Sequence, residues 1–141
     1  MLKSTKEWDI RVTDEIVAKV FSKDVLPWYR PDHKGRAWYR CNAASAKVLA
    51  DLICEAYGAS RIARVEQFKG KACYGWYNSR NETIGIRPAS HIKTVIHEVY
   101  HHLDYSTGLY DSDDRRGGST SLAWRFAELY WEALRDVRKK D

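Results

Sequence analysis

Two histidines four residues apart, with a glutamate beside the first, constrain this chain more than any other feature. The run is His97-Glu98-Val99-Tyr100-His101. On a helix the two imidazoles project from one face, about one turn apart. That spacing suits two nitrogens on one tetrahedral zinc ion, which is the logic of the H-E-x-x-H pattern. Glu98 lies beside the ligand face, where a carboxylate can take a proton from a metal-activated water. The geometry requires a helix, and the flanking residues predict one over Ser90–Tyr105. Ile92, Val95, Ile96, Val99 and Leu103 recur at spacings of three and four, giving one apolar face. Pro88 precedes the segment, Ser90 is an N-cap candidate and Gly108 a stop. The competing reading is an ordinary amphipathic helix with surface histidines.

The rest of the chain predicts a single domain over residues 1–141, long enough to bury a core. Apolar residues make up 44% and charged residues 30%, values ordinary for a globular protein. The N-terminus has no hydrophobic stretch of signal-peptide type, and no apolar run reaches membrane-span length. The expectation is a cytoplasmic protein that does not enter a membrane. Cys41, Cys54 and Cys73 form no C-x-x-C pair, which argues against a zinc ribbon and for buried thiols. The net charge of +5 is uneven: residues 1–80 carry 15 Lys/Arg against 9 Asp/Glu, and residues 81–141 carry 9 against 10. Trp28-Tyr29-Arg30 and Trp38-Tyr39-Arg40 put aromatic and basic residues together, a combination that can stack on bases and neutralise phosphates. The same clusters also suit core anchors with snorkelling arginines.

Along the chain, Thr13 opens a short helix to about Phe21, and Pro27, Pro31 and Gly35 then interrupt it. A second helix is expected over Asn42–Tyr57, with Val48, Leu49, Leu52, Ile53 and Ala56 inward and Gly58 as its stop. Three strands follow, at Arg61–Phe68, Ala72–Asn78 and Thr83–Arg87, separated by turns at Lys69-Gly70-Lys71 and Asn78-Ser79-Arg80-Asn81. The expected arrangement is a small antiparallel meander. Ser106–Ser119 reads as a loop. Thr120 opens a closing helix to about Arg138, with Leu122, Phe126, Leu129, Ala133 and Val137 as its stripe. The fold class is therefore α+β.

Helix, three strands, H-E-x-x-H helix and closing helix is an order that resembles the smallest zincin-type metalloproteases, in particular SprT-like and minimal gluzincin-like domains. The resemblance covers residues 42–137 and rests most on Thr94-Val95-Ile96-His97-Glu98-Val99-Tyr100-His101-His102-Leu103-Asp104. Residues 1–40 are an extension without a counterpart. The resemblance implies a zinc peptidase in which His97 and His101 bind the metal and Glu98 is the general base. It also implies that the segment Gly75–Ile86 is an edge strand pairing with a protein or peptide substrate.

SprT-like relatives take a third histidine from just before the last helix, but the corresponding stretch here, Arg116-Gly117-Gly118-Ser119-Thr120, holds none. Gluzincin-like relatives use a glutamate on the closing helix. That makes Glu128 the candidate third ligand, with a solvated surface glutamate as the alternative. Asp104 is about 10 Å along the helix axis from His97. Its expected role is to accept a hydrogen bond from His101. Asp111, Asp113 and Asp114 read as a plain acidic loop. His102 points about 100° away from His101, and His33 and His91 carry no supporting pattern. Tyr105, Tyr110 and Tyr130 are candidate phenols for an oxyanion. Two other functions remain open: a non-catalytic module of the same shape that binds protein or nucleic acid, and a protease recruited to DNA by its basic half.

Overall fold

Asn42 begins the first helix as a reciprocal cap. Its side chain accepts from the Ser45 N–H at 2.8 Å, and the Ser45 hydroxyl receives the Asn42 N–H at 3.1 Å. The computed structural model describes residues 40–70, 73–106 and 123–133. Helix α1 spans Ala43–Ala56. It ends as the sequence predicts: Gly58 adopts a left-handed φ of 72°, and the Ala59 N–H returns to the Cys54 carbonyl at 2.9 Å. Its buried face is Ala46, Leu49, Ala50, Ile53 and Cys54. This face is rotated from the predicted stripe, and Val48 is exposed. Of the predicted stripe, Leu49 and Ile53 are buried and Leu52 and Ala56 half-buried.

Five short strands form two sheets among the described residues. They are β1 (Arg40–Cys41), β2 (Arg64–Gln67), β3 (Gly75–Asn78), β4 (Thr83–Ile86) and β5 (Ser90–His91). The larger sheet corrects the predicted antiparallel meander: its order is β2-β4-β3. The hairpin half holds, since β3 runs antiparallel to β4 with Gly75 opposite Ile86 and Asn78 opposite Thr83. However, β2 joins the far side of β4 in parallel, with Arg64 opposite Thr83. Every residue of β4 is buried, as befits the central strand. Apolar alternation marks a segment as a strand but does not name its neighbours.

The second sheet was not expected. β1 pairs antiparallel with β5, Cys41 opposite Ser90. Ser90 is thereby taken into a strand, where its hydroxyl donates to the Arg87 carbonyl, and it does not cap the helix. His91 takes that place: its Nδ1 accepts the Lys93 N–H at 3.0 Å, and helix α2 runs from Ile92 to Ser106. The predicted apolar face of α2 is the observed one, with Ile92, Val95, Ile96, Val99 and Leu103 all fully buried. Residues 123–133 form helix α3, which buries Ala123, Phe126, Ala127 and Tyr130. Of its predicted stripe, Phe126 is buried, Leu129 and Ala133 are half-buried, and Leu122 and Val137 lie outside the described residues. So do the Thr13–Phe21 helix, the tryptophan clusters up to Tyr39, most of the expected Ser106–Ser119 loop and the expected helix start at Thr120. The architecture is a mixed α and β fold, α+β at this level. Cys41 and Cys54 are buried as expected, whereas Cys73 is exposed. Among the described residues, no helix is long and apolar enough to cross a membrane.

Candidate metal centre

Helix α2 is buried almost throughout, so its polar groups are largely shielded from bulk solvent. His97 is 6% exposed and Glu98 5%, and His101 is half-buried. The two Nε2 atoms face each other at 3.3 Å, and Glu98 Oε2 lies 3.9 Å from His97 Nε2. Their ligating atoms all fall within 4.8 Å of one another, a group that could hold a metal ion. Two nitrogens bound tetrahedrally at about 2.0–2.1 Å are necessarily about 3.3 Å apart, so the observed spacing fits. Two imidazole lone pairs at this distance repel unless a proton or a cation lies between them.

The electrostatics point the same way. Burial lowers His97 to about 4, helped by the neighbouring His101, and burial alone lowers His101 to about 4. Both rings are therefore neutral at pH 7, the form in which imidazole ligates. Burial raises the Glu98 carboxyl to about 8. A buried acid surrounded by neutral groups resists ionisation, and a nearby cation would reverse that. His97 Nδ1 is buried and meets no hydrogen-bond partner among the described residues.

Three features that sequence reasoning missed shape the surroundings. Gly75, at the start of β3, lies against the helix: a Cβ there would sit 2.9 Å from Thr94 Cγ2, 3.0 Å from the Gly85 carbonyl and 3.3 Å from Glu98 Oε2. The absent side chain lets the strand pass directly over the glutamate. Trp124 of α3 covers His97, with ring centroids 4.1 Å apart. Tyr77 of β3 is tied to α2 through His102: its hydroxyl is 2.7 Å from His102 Nδ1, and His102 Nε2 donates to the Ser60 carbonyl at 2.7 Å. The carbonyl can only accept, so Nε2 carries a proton. His102 thus anchors the strand and is outside the metal group, as its helical angle predicts. The glycine at a strand start was the one local signal for this layout.

The site opens on both sides of Gly75. A cavity of about 430 Å³ is lined by Cys73, Arg87, Thr94, His97, Glu98 and Trp124 among others. A second, of about 290 Å³, is lined by Tyr77, Ser79, His97, Glu98, His101 and Tyr105 among others. Strand β3 borders both and is an edge of its sheet, paired only with β4 among the described residues.

The other sequence candidates divide. Glu128 is not in the metal group: it is exposed, and its carboxylate accepts from Lys93 Nζ at 2.6 Å. Asp104 is buried at 1% exposure. Tyr105 lines the cleft, whereas Tyr130 is fully buried in the core, its hydroxyl 3.2 Å from that of Tyr57. Packing against Phe126 and Tyr57 holds Tyr130 there, away from any substrate. His91 caps α2 and packs on Trp131 at 4.5 Å. Tyr110, Asp111, Asp113, Asp114 and His33 lie outside the described residues. No family model, no curated protein and no solved structure matches the chain.

Proposed function

We propose that this protein is a zinc-dependent peptidase of minimal zincin type. The observation that carries the reading is the facing pair of Nε2 atoms at 3.3 Å with a buried carboxylate 3.9 Å away, all beneath an edge strand. His97 and His101 would hold the zinc through Nε2. When bound, zinc supplies a Lewis acid that acidifies water and polarises a carbonyl oxygen.

The protein's own groups do the rest. Glu98 accepts the proton of the attacking water and returns it to the leaving amine, the usual work of a general base that becomes an acid. Its 3.9 Å distance from His97 Nε2 exceeds the about 3.3 Å expected between two ligands of one tetrahedral ion, which favours proton transfer over ligation. The backbone of β3 offers N–H and carbonyl groups to an extended peptide, and the missing Cβ of Gly75 leaves that peptide close to Glu98. Trp124 fixes the His97 ring by packing.

Elemental analysis tests the metal: wild-type protein should carry stoichiometric zinc, and His97→Ala and His101→Ala should lose it. Unchanged zinc in both variants would end the proposal. Glu98→Gln should keep zinc and lose peptide hydrolysis.

A further inference from the structure

The two ends of the cleft differ in charge. On the Tyr77 side, the cavity beside His101 has no lysine or arginine in its lining among the described residues. On the other side, the cavity at Glu98 adjoins a chamber of about 470 Å³. Arg87, Tyr74, Thr94 and Trp124 line both spaces, so the two are adjacent. Arg40 and Lys93 also line the chamber, and among the described residues no aspartate or glutamate does.

The three cations are engaged differently. Lys93 pairs with Glu128, and Arg40 donates to the Ala89 carbonyl at 3.0 Å. Arg87 is half-buried just past the end of β4, and its guanidinium makes no hydrogen bond or ion pair among the described residues. A cation held in a partly desolvated cleft without an acidic partner is a receptor for an anion. Its planar fork favours a carboxylate, and Tyr74 and Trp124 flank the passage with apolar surface.

We propose that Arg87 and its chamber form a specificity subsite that selects a substrate carboxylate next to the reacting bond. The carboxylate is that of an Asp or Glu side chain or of a chain terminus. This inference rests on the peptidase reading, since Arg87 shares its cavity with His97 and Glu98.

The test uses fluorescein-labelled octapeptides in which one Glu, Gln or Lys is moved position by position, each with a free or amidated C-terminus. Binding is measured by anisotropy on zinc-loaded Glu98→Gln protein, and cleavage on wild type. A charge-assisted bidentate contact should make the best Glu peptide bind about ten- to a hundredfold more tightly than its Gln and Lys counterparts. Arg87→Gln should abolish that preference, and Arg87→Lys should retain part of it. If the free C-terminus confers the preference, the carboxylate is terminal; if a Glu confers it in amidated peptides, it is a side chain.

Equal binding of Glu and Gln peptides with either C-terminus would overturn the subsite. So would a preference that survives Arg87→Gln, or Arg87-dependent binding of oligothymidylate but not of any peptide. Selective binding without cleavage by wild type would remove the peptidase and leave the subsite. Cleavage without selectivity would do the reverse.

Discussion

Replacing Glu98 by glutamine should stabilise the metal-free protein at alkaline pH while abolishing its proposed activity. The carboxyl is held at about 8 against an ordinary 4.5 because it is buried without a compensating charge. The folded state therefore keeps a proton that the unfolded chain releases above pH 4.5. The contribution of Glu98 to stability is full below that value and is lost as pH rises to 8. At about 1.4 kcal/mol per pH unit, the complete loss is about 5 kcal/mol, a large part of the 5–15 kcal/mol typical of a domain, roughly speaking. His97 and His101, lowered to about 4, act in the opposite sense. The unfolded chain binds protons between pH 4 and 6.5 that the folded rings refuse, so stability is gained as pH rises through that window. Metal-free wild type should thus be most stable near pH 6.5 and weaken on both sides, whereas Glu98→Gln should keep only the acid limb. Urea unfolding of chelator-treated protein at pH 6 and pH 9 measures this. Subtracting one protein from the other cancels the histidine contribution, and the advantage of the glutamine variant should grow by about 3 kcal/mol between the two pH values. A change below about 1 kcal/mol would refute the argument that Glu98 is buried without a counter-charge. Zinc added at pH 9 supplies that charge and should narrow the gap.

Zinc should raise the Tm of wild type progressively with its concentration, as expected for a ligand that binds only the folded state, and should leave His101→Ala unchanged in thermal scans. Gly75→Ala brings a methyl group to 2.9 Å from Thr94 Cγ2 and 3.0 Å from the Gly85 carbonyl. It should cost about 1–3 kcal/mol in denaturant unfolding and depress peptide hydrolysis by pushing β3 off the helix. His102→Leu removes the ties to Tyr77 and Ser60. It should cost about 1–3 kcal/mol with zinc content unchanged by elemental analysis, whereas parallel loss of zinc would place His102 in the metal group.

The candidate metal group was legible because its two imidazoles and its carboxylate belong to one helix, where residue spacing alone sets direction. The Gly58 stop was legible for the same reason, since it is a contact within a few residues; the Asn42 cap, equally local, was not read. The start of α2 was misplaced because β1, some fifty residues earlier in the chain, draws Ser90 into a strand and hands the cap to His91. No window around Ser90 contains that pairing.

The sequence by itself determined an amphipathic helix, read over residues 90–105 and observed over 92–106, and hence that His97, Glu98 and His101 meet. It also determined helix α1 and the existence of three strands between the two. Only the tertiary structure decided that β2 joins β4 in parallel, that Gly75 lies over Glu98 and that Arg87 faces the cleft. It also decided the fates of two residues one turn apart on α3: Trp124 covers His97, while Glu128 turns to Lys93. The physical reason is range. Helical spacing and capping are settled by bonds a few residues long, whereas strand partners and the rotation of one helix against another are settled by which distant surfaces pack together.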